Sequence, residues 1–111
     1  APIGLAVNIV SMQEMNPATV AAYFAILREN PAAETVFYCA NKLIKTLPDE
    51  TVVRFADYPW RADDMILADA VCTWAQWTYS RRPPFWHYRR GDDRVIWHRL
   101  ARLAKDRTAS V

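Results

Sequence analysis

Residues Leu5 to Met15 read Leu-Ala-Val-Asn-Ile-Val-Ser-Met-Gln-Glu-Met, and the reading of this stretch decides the fold. From Gly4 to Val10 the run is apolar apart from Asn8. A continuous run of this length predicts a strand covered on both faces, as in a parallel sheet. Asn8 is a polar intruder, expected to bond neighbouring backbone because buried polar groups must be satisfied. The run stops in a polar cluster. In open α/β sheets ligands collect at the carboxyl ends of strands, so Ser11, Gln13 and Glu14 fall where chemistry is expected.

Downstream, Asn16 is a good N-cap and Pro17 suits the first helical position. Val20, Tyr23, Phe24 and Leu27 follow the spacing of one apolar helix face, and Pro31 stops the helix after Asn30. Glu34 to Ala40, with Thr35, Val36, Phe37 and Tyr38, is β-branched and aromatic and predicts a second buried strand ending at Asn41. Strand, helix and strand in this order form a βαβ unit, so the strands should be parallel with a right-handed crossover.

Further along, Leu43–Thr46 and Thr51–Phe55 predict a hairpin around Pro48-Asp49-Glu50, broken by Tyr58-Pro59-Trp60. Asp63 to Asp69 reads equally as a helical turn or a strand. Val71 to Tyr79 leans to strand. Arg81-Arg82-Pro83-Pro84 must be a loop, because consecutive prolines exclude ladder and helix alike. A terminal helix is expected over Asp93–Lys105. Ile96, Leu100 and Leu103 form its stripe, Trp97 and Ala104 flank it, and Asp92 and Asp93 favour its amino end. Arg107–Val111 is expected to fray.

At 111 residues the chain is one domain or part of one, and 52% apolar content is too high for disorder. The longest apolar runs fall far short of the ~20 residues that span a bilayer. No charged-then-apolar leader opens the chain, which begins Ala-Pro-Ile-Gly, so the expectation is a cytoplasmic piece of a longer protein. Cys39 and Cys72 form no C-x-x-C pair and are expected to be buried structural thiols in a reducing compartment. His87 and His98 lack the companions of a metal motif, so no metal is expected. The net charge of +2 is uneven: residues 1–80 hold five Lys/Arg against nine Asp/Glu, and residues 81–111 hold nine against three.

Several strings taken together, Asn8-Ile-Val-Ser-Met-Gln-Glu-Met15, Tyr23-Phe24, Phe37-Tyr-Cys39 with Asn41, Leu47-Pro-Asp49 and Tyr58-Pro-Trp60, resemble the putative sugar O-methyltransferase family. These are class I enzymes dependent on S-adenosylmethionine. The resemblance covers roughly residues 4–90, and Ser-Met-Gln-Glu-Met is its most specific part. It implies an α/β fold, namely part of a Rossmann-like methyltransferase sheet; with the elements read above, the chain is a βαβ unit followed by a β-rich segment and a terminal helix, the last of which matches no motif of the family. Residues 1–111 would be the carboxyl-terminal part of a single domain. The glycine-rich loop that such enzymes place after their first strand has no counterpart here, because Gly4 and Gly91 are the only glycines and neither lies between a strand and a helix. The missing half, or a second copy of the chain, would then be a partner.

The same resemblance implies site residues. Glu14 is the candidate base, with Gln13 beside it as catalytic. Ser11 and Met12 would face S-adenosylmethionine. Asn41, Trp60 and His87 would hold the hydroxyl substrate, a sugar or sugar-containing metabolite. Glu14 could instead simply cap the next helix. The rival function is a non-catalytic module that binds a polyanion or a partner chain through its basic carboxyl-terminal third, in which basic and aromatic residues interleave over Arg81–Arg90. Those aromatics are expected to pack a loop onto the sheet, with lining of a sugar site as the alternative. Total charge near zero argues against a dedicated nucleic-acid protein.

Overall fold

The computed structural model describes residues 1–88 and 94–106. The capping signals at Asn16 and Pro17 act as expected. The first strand, β1 (Leu5–Ile9), leads through a turn of 3₁₀ helix at Met12–Glu14 into helix α1 (Pro17–Glu29). The Asn16 side chain accepts the Thr19 N–H at 2.9 Å. Strand β2 (Val36–Lys42) then pairs parallel with β1, Leu5 opposite Val36 and Ile9 opposite Ala40. The expected hairpin forms from β3 (Ile44–Thr46) and β4 (Val52–Arg54).

The ambiguous Asp63–Asp69 segment is strand β5 (Met65–Val71). Val71–Tyr79 is not one strand. Val71 ends β5, a helical turn α2 (Thr73–Gln76) follows, and β6 (Trp77–Tyr79) pairs with β7 (Trp86–Tyr88). At the break, the buried Gln76 side chain accepts the Ile96 N–H on its Oε1 at 2.6 Å.

The expected terminal helix is instead strand β8 (Ile96–Arg102). Ile96, Leu100 and Leu103 fit helical spacing, but a strand also suits this segment and long-range pairing decides. The strand β8 lies antiparallel to β2 on one side and to β5 on the other, giving the order β1-β2-β8-β5. Its charges are met in that setting. Arg99 pairs with Asp69 from β5, and its guanidinium lies 4.7 Å from the Trp60 ring centroid. The expected helix start at Asp92 and Asp93 and the expected fraying of Arg107–Val111 lie outside the described residues.

One sheet face carries the core. Helix α1 and the 3₁₀ turn lay Val20, Phe24, Leu27 and Met12 onto Phe37, Cys39 and Ala101. Phe24 meets Phe37 and Trp60 edge-on, at 5.5 and 5.1 Å between ring centroids. The expectation that β1 is covered on both faces fails. It is an edge strand, and its Leu5 and Val7 side chains are 64% and 57% exposed on the opposite face. The Cα radius of gyration is 16.1 Å, above the about 13 Å of a compact domain of this size. No helix among the described residues is long and apolar enough to cross a membrane.

Candidate functional site at the carboxyl ends of β1 and β2

Strand β1 ends in a bend at Val10, whose φ of 54° is unusual for a β-branched residue and costs of order 1–3 kcal/mol. The bend swings Ser11–Glu14 off the strand line, while Val10 N–H still reaches the Ala40 carbonyl at 2.7 Å. What holds it is Asn41, at the end of β2. Its Oδ1 accepts the backbone N–H of Ser11 and of Gln13, each at 3.0 Å. Its Nδ2 donates to Asn8 Oδ1 at 3.1 Å, and the same Asn8 oxygen accepts the Met12 N–H at 2.9 Å. Gln13 returns the link, its Oε1 accepting the Lys42 N–H at 2.7 Å. Three amide side chains thus bind the ends of two parallel strands into one lattice.

This lattice sorts the expected site residues. Ser11, Met12, Gln13, Glu14 and Asn41 do come together. Met12, Gln13 and Asn41 are buried, with Met12 in the core and the two amides bonded to backbone. Ser11 and Glu14 face solvent. Glu14 Oε1 stands 3.4 Å from Lys45 Nζ of β3, and Glu14 lines an open cleft with Asn16, Leu47, Pro48 and Asp49. Hydrogen bonds from the Thr51 side chain and backbone N–H hold the Asp49 carboxyl below its ordinary range. Two carboxylates, Glu14 and Asp49, therefore line the cleft, and the Lys45 ammonium stands beside Glu14. Lys45 and Asp49 were legible only as parts of the expected hairpin, although Asp49 belongs to the quoted Leu47-Pro-Asp49 string.

Trp60 and His87 lie elsewhere. Trp60 packs in the core against Phe24, Phe37 and Phe55, and its Nε1 donates to the Phe55 carbonyl at 2.9 Å. His87 is exposed on the β6–β7 hairpin, opposite Thr78. Asn8 was expected to bond backbone and does so. Cys39 is fully buried, and burial pushes its thiol up to about 12 against the smaller opposing effects of Asn41 and Arg99. Among the described residues no group of three or more His, Cys, Asp or Glu side chains could hold a metal ion.

No protein-family model, no curated protein and no solved structure matches this chain.

Proposed function

We propose that the chain is the carboxyl-terminal part of a class I S-adenosylmethionine-dependent O-methyltransferase acting on a hydroxyl of a sugar or sugar-containing metabolite. The observation that carries this reading is the lattice in which Asn41 of β2 holds both Ser11 and Gln13 at the end of β1. It joins the two strings quoted for the resemblance and presents Ser11 and Glu14 at the carboxyl ends of parallel strands, where ligands of α/β sheets gather.

The residues present fit the cofactor in part. The exposed Ser11 hydroxyl could meet it, whereas the buried Met12 side chain could not. When bound, S-adenosylmethionine would supply the methyl group, its sulfonium sulfur keeping the C–S electron pair and leaving as a neutral thioether. The remaining work falls to this chain. Glu14 accepts the proton of the substrate hydroxyl as its oxygen bonds the methyl carbon, a contribution typically of 10²–10⁴ in rate. The Lys45 ammonium stands beside the Glu14 carboxylate, 3.4 Å from Oε1, and orients it. Asn41 and Gln13 are positioning residues that act through the backbone of Ser11–Glu14. Trp60 stabilises the core in this scheme.

The test is calorimetric titration with S-adenosylhomocysteine, of this chain alone and of the longer protein proposed to contain it. Binding only by the longer protein, with turnover lost in Glu14→Gln at unchanged affinity, is the expected result. Absence of binding in both overturns the reading.

A further inference from the structure

The β6–β7 hairpin carries its aromatic residues outward. Trp77 stands opposite Tyr88 and Tyr79 opposite Trp86, so all four rings share one face while Thr78 and His87 share the other. The facing rings meet edge-on at 5.3 and 5.4 Å between centroids. Trp77, Tyr79 and Trp86 are 50%, 60% and 59% exposed, a large apolar area left in water. The loop expected to pack onto the sheet therefore does not do so. Its turn is held by hydrogen bonds from Arg82 N–H to Ser80 Oγ at 3.2 Å and from Phe85 N–H to the Arg82 carbonyl at 2.9 Å.

The hairpin itself carries charge of one sign. Residues 77–88 include Arg81, Arg82 and His87 and no acidic residue. Arg28, Arg61 and Arg99 are matched by Asp64, Asp106 and Asp69, but among the described residues no carboxylate pairs with Arg81 or Arg82. Both are exposed in the turn, next to the ring ladder. Whole-chain charge near zero is thus a poor guide, because carboxylates elsewhere cancel charges elsewhere.

We propose that this hairpin face binds single-stranded nucleic acid, with bases stacked on Trp77, Tyr79 and Trp86 and phosphates held by Arg81 and Arg82. Stacking rings beside unpaired cations are the two parts that such binding needs. Same-face residues along a strand lie about 7 Å apart. This is about twice the ~3.4 Å rise of stacked nucleotides, so bases would be drawn apart and interleave with the rings. A duplex keeps its base faces covered and cannot use the ladder. A neutral glycan could stack on the rings but leaves both arginines without a counter-charge. The proposal stands independently of the methyltransferase reading.

Fluorescence anisotropy with labelled oligo(dT), its duplex form and heparin as probes tests it. Oligo(dT) should bind well ahead of duplex and heparin. Trp86→Ala should weaken binding about tenfold while Trp86→Phe keeps most of it, in line with the contribution of one stacked base. Substituting Arg81→Ala together with Arg82→Ala should reduce the slope of log affinity against log salt by about 1.4, at about 0.7 per phosphate contact on a single strand. Circular dichroism checks that each variant folds, and Tyr79→Ala serves as a second ring variant. No binding of oligo(dT), equal binding of duplex or heparin, or unchanged affinity in both alanine ring variants overturns the proposal.

Discussion

The Arg28 guanidinium grips the Asp64 carboxylate through two parallel hydrogen bonds, Nη1 to Oδ1 at 2.7 Å and Nη2 to Oδ2 at 2.9 Å, and both side chains are buried. The pair does more than neutralise itself. Arg28 also donates to the carbonyls of Ala104 and Pro59, and Asp64 accepts the N–H of Ala104 and of Arg61. It therefore fastens the end of α1 to the entry of β5 and the exit of β8. Bidentate geometry with every remaining lone pair engaged is the condition under which a buried ion pair offsets its desolvation.

Removing one partner leaves the other charge buried and alone. Arg28→Met should destabilise the chain by about 3–5 kcal/mol in urea unfolding, and Asp64→Leu by a similar amount. The double variant should recover part of the loss, since no charge is then stranded. It should not recover all of it, because the Pro59 and Ala104 carbonyls lose their donor. A double variant no more stable than either single would refute this account of the clamp.

The same clamp sets an acid limit. Burial pushes the Asp64 carboxyl up, but the hydrogen bonds from Arg28 and from the Ala104 and Arg61 N–H groups outweigh it and hold the group below its ordinary value. A depressed native pKa means that the unfolded state binds the proton first. The stabilisation is present above the unfolded value of about 3.9 and is lost as pH falls through the native value. Urea midpoints should stay level near neutrality on this account and fall below about pH 4, with a shallower fall in the double variant.

Asn41 has its own expected signature. Asn41→Ala leaves the Ser11 and Gln13 N–H groups without their acceptor, at roughly 1–3 kcal/mol for the buried Gln13 donor and less for the part-buried Ser11 donor. Amide exchange at residues 11 and 13 should accelerate more than in the middle of β2. Glu14→Gln should leave stability within about 0.5 kcal/mol, because the Glu14–Lys45 pair is solvent-exposed. Equal destabilisation by both substitutions would remove the division between buried positioning groups and an exposed reactive one.

Local signals recovered one part of this fold and missed another for a physical reason. The Asn16 cap, Pro17 and the 3.6-residue spacing of α1 are decided within a few residues, as is the β-branched run of β2, so the β1–α1–β2 unit was legible. The strand β8 was not, because Ile96, Leu100 and Leu103 satisfy a helical period while its partners β2 and β5 lie far away in sequence. The exposure of β1 was hidden for the same reason: apolar side chains do not announce whether a second layer covers them. The site divides likewise. Ser11 to Glu14 and Asn41 could be named from strand ends, but that Asn41 is a backbone acceptor 30 residues from Ser11 is visible only in three dimensions.

Tyr58 offers a gain in stability. Its ring packs against Phe55 with 5.3 Å between centroids, and its buried hydroxyl finds no hydrogen-bond partner among the described residues. Burial raises its pKa further, which keeps the group neutral. Tyr58→Phe removes an unsatisfied polar atom and keeps the ring, so the urea midpoint should hold or rise, by up to about 1 kcal/mol in stability. A clear loss would mean that the hydroxyl has a partner in solution.

The free edge of β1 predicts self-association. Gly4 C=O and Val10 N–H bond to β2, so in a parallel pair the odd-numbered residues Leu5, Val7 and Ile9 turn their backbone groups away from it. The strand Leu-Ala-Val-Asn-Ile carries no charge, proline or bulge, the usual devices that discourage edge pairing. Two copies of this strand could therefore pair without like charges meeting. Sedimentation velocity should show an average mass rising with concentration above the 12.8 kDa of one chain. Val7→Lys adds a charge at an exposed position and should suppress that rise without lowering stability. A chain that stays monomeric at high concentration, or a Val7→Lys variant that associates as strongly as the parent, would exclude β1 as the contact.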